Sequence, residues 1–367
     1  MTVLTLPSRR EEAWRWSDLS ALPGLAERQP SGLVPAEIPW IACEREGPLL
    51  LFVDGRLDEA RSRPGAVEIG DVQVSSLHPL ARLAGRSGWR LRLGRDHAPP
   101  GLIQIVHVST GAADHLTAEI ALDVDAQASI VETYVGEGWS NRLTGIALAK
   151  SARLMLSRRL LGDGGFASLT DEAEVGEGAS LVQIVLAAGN NDSRIEAQVA
   201  LSGKAAFAEV GGVLLATGRQ RHDANIVLRH DATNGASRQL WRSVAADRST
   251  ASVAARVEVA RDAQKTDGEQ SLKGLLLARG ATINLKPELE IFADDVKCAH
   301  GATVGQLDRN ALFYLASRGI SEAEAKTLLT QAFVADAIER IGEEQVRVQF
   351  QADAQNWLST ATRGEQS

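Results

Sequence analysis

The feature that most constrains the fold is a short phrase that recurs along the middle of the chain. Each copy has a polar or small turn residue, an alanine, one variable residue and an apolar run. The alanines are Ala128, Ala152, Ala179, Ala205, Ala251 and Ala281. They lie about 24 to 30 residues apart, except for one step of about 46, which we interpret as two periods with one copy degraded. A repeat of this length is typical of a solenoid.

Short apolar strands lie between the copies, and no helical pattern separates them. This combination predicts a parallel β-helix, whose coils stack about 4.8 Å apart and wind right-handed by default. About 200 residues at about 26 per coil correspond to about eight coils. The alternative is an antiparallel sandwich whose strand spacing happens to be regular.

The repeat divides the chain into three predicted parts. Residues 1–95 have the mixed pattern of a small α+β region, residues 96–305 form the β-helix, and residues 306–367 form a helical domain. In the first part, apolar spacing predicts a helix over residues 11–22, and the run Leu49 to Val53, followed by Asp-Gly, predicts a strand and a turn. The fold class is therefore mainly β.

The last part is predicted to hold three helices. The first is short and runs from Asn310 to Ser317. Ser321 and Glu324 then have the spacing of a capping box at the start of a long helix. A third helix is expected over residues 343–357. One face of the long helix carries Leu328, Leu329, Phe333, Ala337 and Ile341.

Composition limits the classes of function. Of the 367 residues, 44% are hydrophobic and 23% are charged, which is typical of a globular chain. The net charge is −8 and no basic stripe exists, so nucleic acid and anionic membranes are poor candidate partners. Cys43 and Cys298 are too few to hold an iron–sulfur cluster alone, and they suit a reducing cytoplasm. No run of about 18 apolar residues predicts a membrane-spanning helix.

The sequence contains none of the common enzyme signatures. It has no Walker A loop, no Gly-x-Ser-x-Gly elbow, no His-Glu-x-x-His helix and no Cys-x-x-Cys pair. We therefore expect that the chain is not an enzyme.

The densest group of chemically capable side chains lies in residues 286–305, KPELEIFADDVKCAHGATVG. Alternation along a strand places Cys298 and His300 on one face, where a thiolate and an imidazole suit a metal such as iron or zinc. Two ligands make half a site, so a partner chain has to complete it. The alternative is a packed thiol beside a hydrogen-bonded histidine. Four acidic residues lie nearby, the same-face pair Glu288 and Glu290 and then Asp294 and Asp295. The candidates to orient His300 are Asp294, Asp295 or a backbone carbonyl.

This block resembles the SufB/SufD family of iron–sulfur cluster assembly proteins. The resemblance includes AQKTD at residues 263–267, FYL at residues 313–315 and RGI at residues 318–320. Its specific part runs from about residue 263 to 335, and weaker similarity extends back to about residue 100. The SufD branch of the family is the better match.

The resemblance implies a subunit of a cytoplasmic complex with SufB and the ATPase SufC. The β-helix would pair with SufB, and His300, the histidine of the family's KCxHG motif, would supply a ligand at that interface, with Cys298 a less certain participant. Iron or a cluster would be held there only transiently, and the isolated chain would bind none and could form a homodimer. SufC would dock on the helical domain, where the candidate contact residues are Phe313, Leu315, Leu328, Leu329 and Phe333.

Two other classes of function stay open at this point. A carbohydrate-active β-helix enzyme would carry several carboxylates or basic residues along an exposed groove. A purely structural homodimeric solenoid would need no other protein. Co-purification with SufB and SufC distinguishes both from an assembly subunit, because neither would need these partners.

Overall fold

Stacked parallel strands form most of the molecule. The computed structural model describes residues 6–43 and 47–361. Its strands are β1 (Leu49–Val53), β2 (Arg56–Leu57), β3 (Val67–Asp71), β4 (Ser87–Leu93), β5 (Ile103–Leu122), β6 (Gln127–Leu148), β7 (Arg153–Leu160), β8 (Phe166–Val175), β9 (Ser180–Ala187), β10 (Asp192–Leu201), β11 (Phe207–Ala216), β12 (Arg221–His230), β13 (Ala236–Ala245), β14 (Thr250–Val259), β15 (Asp267–Leu276), β16 (Thr282–Ile291) and β17 (Lys297–Gly305).

The strands pair in two rows, and each coil contributes one strand to each row. Row A contains β1, the first halves of β5 and β6, and then β7, β9, β11, β13, β15 and β17. Row B contains β4, the second halves of β5 and β6, and then β8, β10, β12, β14 and β16. All of these pairings are parallel, so the structure confirms a mainly β, parallel β-solenoid of about eight coils.

One corner of the solenoid explains the sequence repeat. Seven corner residues have φ between 57° and 61°, and the N–H of each donates to a carbonyl one coil further along. They are Asp96, Asp125, Ser151, Gly178, Ala205, Asn234 and Lys265. After four of them the chain places a buried alanine, such as Ala152 or Ala179, because the corner leaves room only for a small side chain. The repeat is therefore set by stacked turns rather than by the strands.

Our interpretation of the long step in the repeat was wrong. Ala251 lies in β14 and Ala281 directly precedes β16, so both belong to row B, whereas Ala152 and Ala179 precede row A strands. The step of about 46 residues passes from one row to the other rather than covering two full periods, and the row A corner that it skips has Gly235 in place of the alanine.

The N-terminal part differs from the helix predicted over residues 11–22. A short 3-10 helix (Glu12–Trp14) and an α-helix, α1 (Leu22–Glu27), replace it, with Pro23 near the start of α1. The predicted strand is β1, and the turn at Asp54 and Gly55 leads into the antiparallel strand β2. Two further 3-10 helices cover Glu59–Arg61 and Ala81–Leu83.

Residues 12–17 lie along the outer surface of row B. The Arg194 guanidinium stacks over the Trp14 ring at 4.5 Å, and Ser17 donates a hydrogen bond to Asp223. Lys286 Nζ lies 2.5 Å from Glu12 Oε1. This segment therefore contacts strands β10, β12 and β16, which belong to three different coils.

Three helices follow the last strand: α2 (Arg309–Ser317), α3 (Glu322–Ile338) and α4 (Glu344–Ala361). The predicted capping box of Ser321 and Glu324 is present. Helices α3 and α4 pack on the outer surface of row A, where they cover outward-facing residues such as Ile184 and Val213. No helix in the described ranges is long and apolar enough to span a membrane. The three-part division of the chain stays a prediction.

Packing on the solenoid decides which face of α3 is buried. Its buried residues are Ala325, Thr330, Val334, Ala337 and Ile338. Ala337 therefore lies on the buried face as expected, and Ile341 is also buried just beyond the helix, whereas Leu328 is exposed and Leu329 and Phe333 are half-buried. The predicted single apolar face is thus divided between the solenoid and the outer surface of the helix.

Candidate functional site

The two ends of the solenoid differ. Antiparallel pairing of β1 with β2 and of β3 with β4 covers the first coil. At the other end β17 and β16 are the last strands of rows A and B, and within the described residues no further strand pairs with their outer edges. Apolar side chains are uncovered there, including Phe292 at 59% exposure and Val304 at 46%. We call the surface formed by β16 and β17 the open end.

Cys298 and His300 lie side by side on β17 at the open end. Their partners in register on β15 are Gly268 and Gln270, both buried, so the two side chains project on the inner side of the strand. This confirms the predicted shared face. His300 is exposed because no further coil stacks on β17 in the part of the chain that the structure describes.

Cys298 is packed more closely than His300. It is half-buried against the main core cluster, and its Sγ lies so close to Gly268 that a Cβ added to that glycine would be 3.4 Å away. Burial raises the pKa of the Cys298 thiol, so the thiol is protonated at neutral pH. A metal that displaces this proton has to compensate for the burial, which favours His300 as the more available ligand.

Of the four acidic neighbours, Glu288 is engaged in ion pairs on the other side of its strand. Glu288 lies on the outer side of β16, where its carboxylate is 3.0 Å from Lys286 Nζ and 3.5 Å from the Arg256 guanidinium. The turn that contains Asp295 is fixed through its main chain, because the Asp295 N–H donates to Gln264 Oε1. Across the described ranges no group of three or more His, Cys, Asp or Glu side chains could hold a metal ion. The pair of Cys298 and His300 is therefore at most part of a ligand set.

Sequence reasoning missed a pair of buried glutamines behind His300. Gln239 and Gln270 occupy successive inner positions of β13 and β15, in line with His300 on β17. Gln270 Nε2 donates to Gln239 Oε1 at 2.6 Å and to the Ala255 carbonyl at 2.8 Å. No motif indicated them, because a glutamine inside a solenoid is recognisable only when the register is known.

His222 and His230 lie in the interior of row B and belong to the core. His222 bonds to Ser193 Oγ at 2.8 Å and to the Leu215 carbonyl at 3.2 Å, and His230 Nε2 is 2.8 Å from Ser237 Oγ. Burial lowers the pKa of each to about 4. Both rings are therefore neutral members of the hydrogen-bonded core at physiological pH.

The helical domain presents a separate apolar surface. Phe313 on α2 is 77% exposed and Leu328 on α3 is 47% exposed, while Leu315, Leu329 and Phe333 are half-buried. Helix α2 has no buried residue. We call Phe313, Leu315, Leu328, Leu329 and Phe333 the helical patch.

Together the fold and the open end define a class, the parallel β-solenoid proteins that carry a Cys-x-His pair on an unpaired terminal coil. Residues 106–333 match the family model described as "SUF system FeS cluster assembly, SufBD core domain". The chain therefore belongs to the SufB/SufD family of iron–sulfur cluster assembly proteins, which confirms the resemblance found in the sequence.

Individual relatives agree with this assignment. The iron–sulfur cluster assembly protein SufD of Escherichia coli is 27% identical over 95% of this chain and 88% of its own length. A SufBD family protein of Synechocystis is 26% identical over 92% of this chain and 84% of its own length. The chloroplastic protein ABCI7 of Arabidopsis thaliana is 30% identical, over 63% of this chain and half of its own length. Similarity to a SufD protein therefore extends over nearly the whole chain.

Proposed function

We propose that this chain is a non-catalytic subunit of a cytoplasmic SUF complex. In this proposal it pairs with a SufB-like homologue through the open end and docks a SufC-like ATPase through the helical patch. His300 supplies a ligand for iron or a nascent cluster at the SufB interface, with Cys298 secondary. The iron and the cluster are the cargo of the assembly reaction and leave with the product.

The single observation that carries this proposal is the position of the KCxHG motif. Its histidine lies on the inner side of the last coil, at the surface where a homologous solenoid with its own unpaired strands could continue the stack. An incomplete ligand pair at such an edge is what a site shared between two chains requires. An isolated enzyme would need a complete constellation within one chain.

The helical patch supports the second contact. A helical domain that served only to cover the solenoid would bury its apolar side chains, yet α2 and the outer surface of α3 leave Phe313 and Leu328 exposed. Helix α4 and the inner face of α3 account for the covering role. The two roles are therefore divided between different surfaces of the same domain.

The experiment is to co-express the chain with its SufB and SufC homologues and to compare the wild type with His300→Ala. Because the His300 ring is exposed and outside the core, the variant is expected to form the same complex and to support the same ATP hydrolysis. Its iron and sulfide content is expected to fall by about tenfold or more. Even the loss of a residue that only hydrogen-bonds a metal ligand commonly lowers metal affinity by that factor. Cys298→Ser is expected to have a milder effect.

The control is His97→Ala. His97 is also exposed, but it lies between β4 and β5, far in sequence from the strands β16 and β17 that form the open end. It is expected to match the wild type in complex formation and in cluster content. Normal cluster content in His300→Ala would disprove the ligand role. A wild-type chain that purifies without either partner would disprove the assembly role and favour the structural solenoid.

A further inference from the structure

We infer that Gln270 is a positioning residue for His300. In this arrangement its side-chain carbonyl oxygen accepts a hydrogen bond from one ring N–H of His300. The bond fixes the tautomer and the orientation of the ring, so that the other ring nitrogen faces the open end with its lone pair free for a metal. The inference rests on the proposed function, because it matters for assembly only if His300 is a ligand.

The register brings the two side chains together. Gln270 and His300 are direct partners in the parallel pairing of β15 with β17. Direct partners on neighbouring parallel strands are about 4.8 Å apart and project to the same side. Both side chains lie on the inner side, so an amide and an imidazole at these two positions are within hydrogen-bonding reach.

The amide of Gln270 has one unused polar atom. Its Nε2 is already bound to Gln239 Oε1 and to the Ala255 carbonyl, which both belong to the preceding coil. Its Oε1 is buried and has no hydrogen-bond partner, and the residue as a whole is only 2% exposed. Buried side-chain acceptors without a partner are uncommon, because leaving one unpaired is costly. Because Nε2 is held toward β13 and β14, Oε1 is the amide atom that is left to accept a hydrogen bond from a side chain on β17.

A ligating histidine needs such an acceptor. In metal sites the second ring nitrogen usually donates to a carboxylate, a carbonyl or water, and this bond orients the ring. The sequence indicated Asp294, Asp295 or a backbone carbonyl for that role. Gln270 suits it better, because its register position is fixed by the sheet and its amide is anchored by two hydrogen bonds. A neutral acceptor also adds no further negative charge beside the metal.

The test compares Gln270→Met with Gln183→Met in the full-length chain. Met removes the acceptor while nearly keeping the volume. Gln183 is a matched control: it is an inner residue of β9, is also 2% exposed and also has an unpaired Oε1, but it lies several coils from His300. The tautomer of His300 is measured by nitrogen NMR of 15N-histidine-labelled protein in alkaline buffer, and His300→Ala assigns the signals.

In the wild type we expect one His300 tautomer to exceed the other by about fivefold or more relative to the exposed His97, as one ordinary hydrogen bond would cause. The Gln270→Met variant is expected to lose this difference, and Gln183→Met to keep it. Gln270→Glu retains an acceptor oxygen but loses the two hydrogen bonds donated by Nε2, so it is expected to restore the preference only in part. If His300 behaves like His97 in the wild type, or if Gln270→Met leaves its tautomer unchanged, the inference is wrong.

A second measurement separates this inference from the proposed function. In the co-purified complex, Gln270→Met is expected to reduce iron affinity about 10-fold to 100-fold, whereas Gln183→Met should not. If the tautomer changes but iron binding stays normal even in His300→Ala, the ligand role fails and the positioning contact stands. If iron binding requires His300 but Gln270→Met alters neither property, the ligand role stands and the positioning role fails.

Discussion

His222 makes the stability of the solenoid depend on pH. Its folded pKa of about 4 lies below the ordinary value of about 6.5, because burial disfavours the charged ring. Above pH 6.5 the ring is neutral in both states, and as the pH falls toward 4 only the unfolded chain takes up the proton. The free energy of unfolding is therefore expected to decrease over this range, by up to about 3 kcal/mol from this residue.

The substitution His222→Gln tests this expectation. It removes the titration, so the difference in unfolding free energy between pH 7 and pH 4 should shrink, as measured by urea denaturation at each pH. The matched control is the exposed His97→Gln, which should keep the wild-type slope. An unchanged slope in His222→Gln would show that the ring does not titrate on unfolding as its burial implies.

Alternation along a strand was sufficient to predict that Cys298 and His300 share a face. It could not predict that one is packed and the other exposed, because this depends on β17 being the last strand of its row. Nor did it indicate the charged interior of the first coils, where Arg158 on β7 bonds to Glu132 and Asp171. An interior charge is stable only with partners on other coils, and a single sequence does not show which strands are neighbours.

Among the helices, α2 and α3 give the sharpest test of the docking surface. Phe313→Asp is expected to abolish co-purification of the SufC homologue, because it places a charge in the middle of the helical patch. The variant should leave the unfolding free energy within about 0.5 kcal/mol of the wild type, since the side chain is already exposed. The control is Leu77→Asp, which changes an equally exposed apolar residue far from the patch.

Retained SufC binding by Phe313→Asp would contradict this assignment. Deleting the whole helical domain is a poorer test, because α3 and α4 cover apolar residues of row A such as Ile184 and Val213. Loss of binding by such a truncation could result from a damaged solenoid. A point substitution on α2 avoids this ambiguity.

The anchoring of α4 depends on a buried ion pair. The Arg159 guanidinium on β7 contacts both carboxylate oxygens of Asp353, at 2.7 and 3.0 Å. Asp353→Asn is expected to cost about 3 kcal/mol in unfolding free energy, because it leaves the arginine buried with a weakened partner. The control is Asp336→Asn at about 1 kcal/mol or less, since Asp336 is half exposed and its partner Arg242 keeps two carbonyl acceptors. Equal losses in the two variants would contradict this account.

At the scale of the whole molecule, the open end is expected to make the isolated chain pair with itself. The surface that would meet a homologous solenoid can also meet a second copy about a two-fold axis. Val304→Lys places a charge on this surface and should give a monomer in analytical ultracentrifugation. The control is Val348→Lys, the same change at a similarly exposed position on α4, which should leave the association unchanged. A dimer that persists in Val304→Lys would place the contact elsewhere.

The solenoid was predictable because its corner turns repeat in sequence, and parallel stacking favours a small residue, most often alanine, after the turn. In the N-terminal part the strand β1 and its turn were predictable, but the helix over residues 11–22 was not, because residues 12–17 take their conformation from row B. The predicted apolar face of α3 is divided for a similar reason, because contact with row A decides which of its residues are buried. Outward-facing residues of row A are apolar where helices cover them, so burial on both sides of a strand hides the two-residue alternation.

The contacts of residues 12–17 also determine when the fold can be completed. Glu12 meets Lys286 across 274 positions of sequence, and Ser17 meets Asp223 across 206. A ribosome that adds about 5 to 20 residues per second needs roughly ten to fifty seconds to reach the later partner. The coils can stack in the order in which they are synthesised, whereas residues 12–17 are made before the coils and have to wait for β16. Until Arg194 on β10 has been made, the Trp14 side chain lacks the guanidinium that stacks over it and is exposed on the ribosome, where a chaperone could bind it.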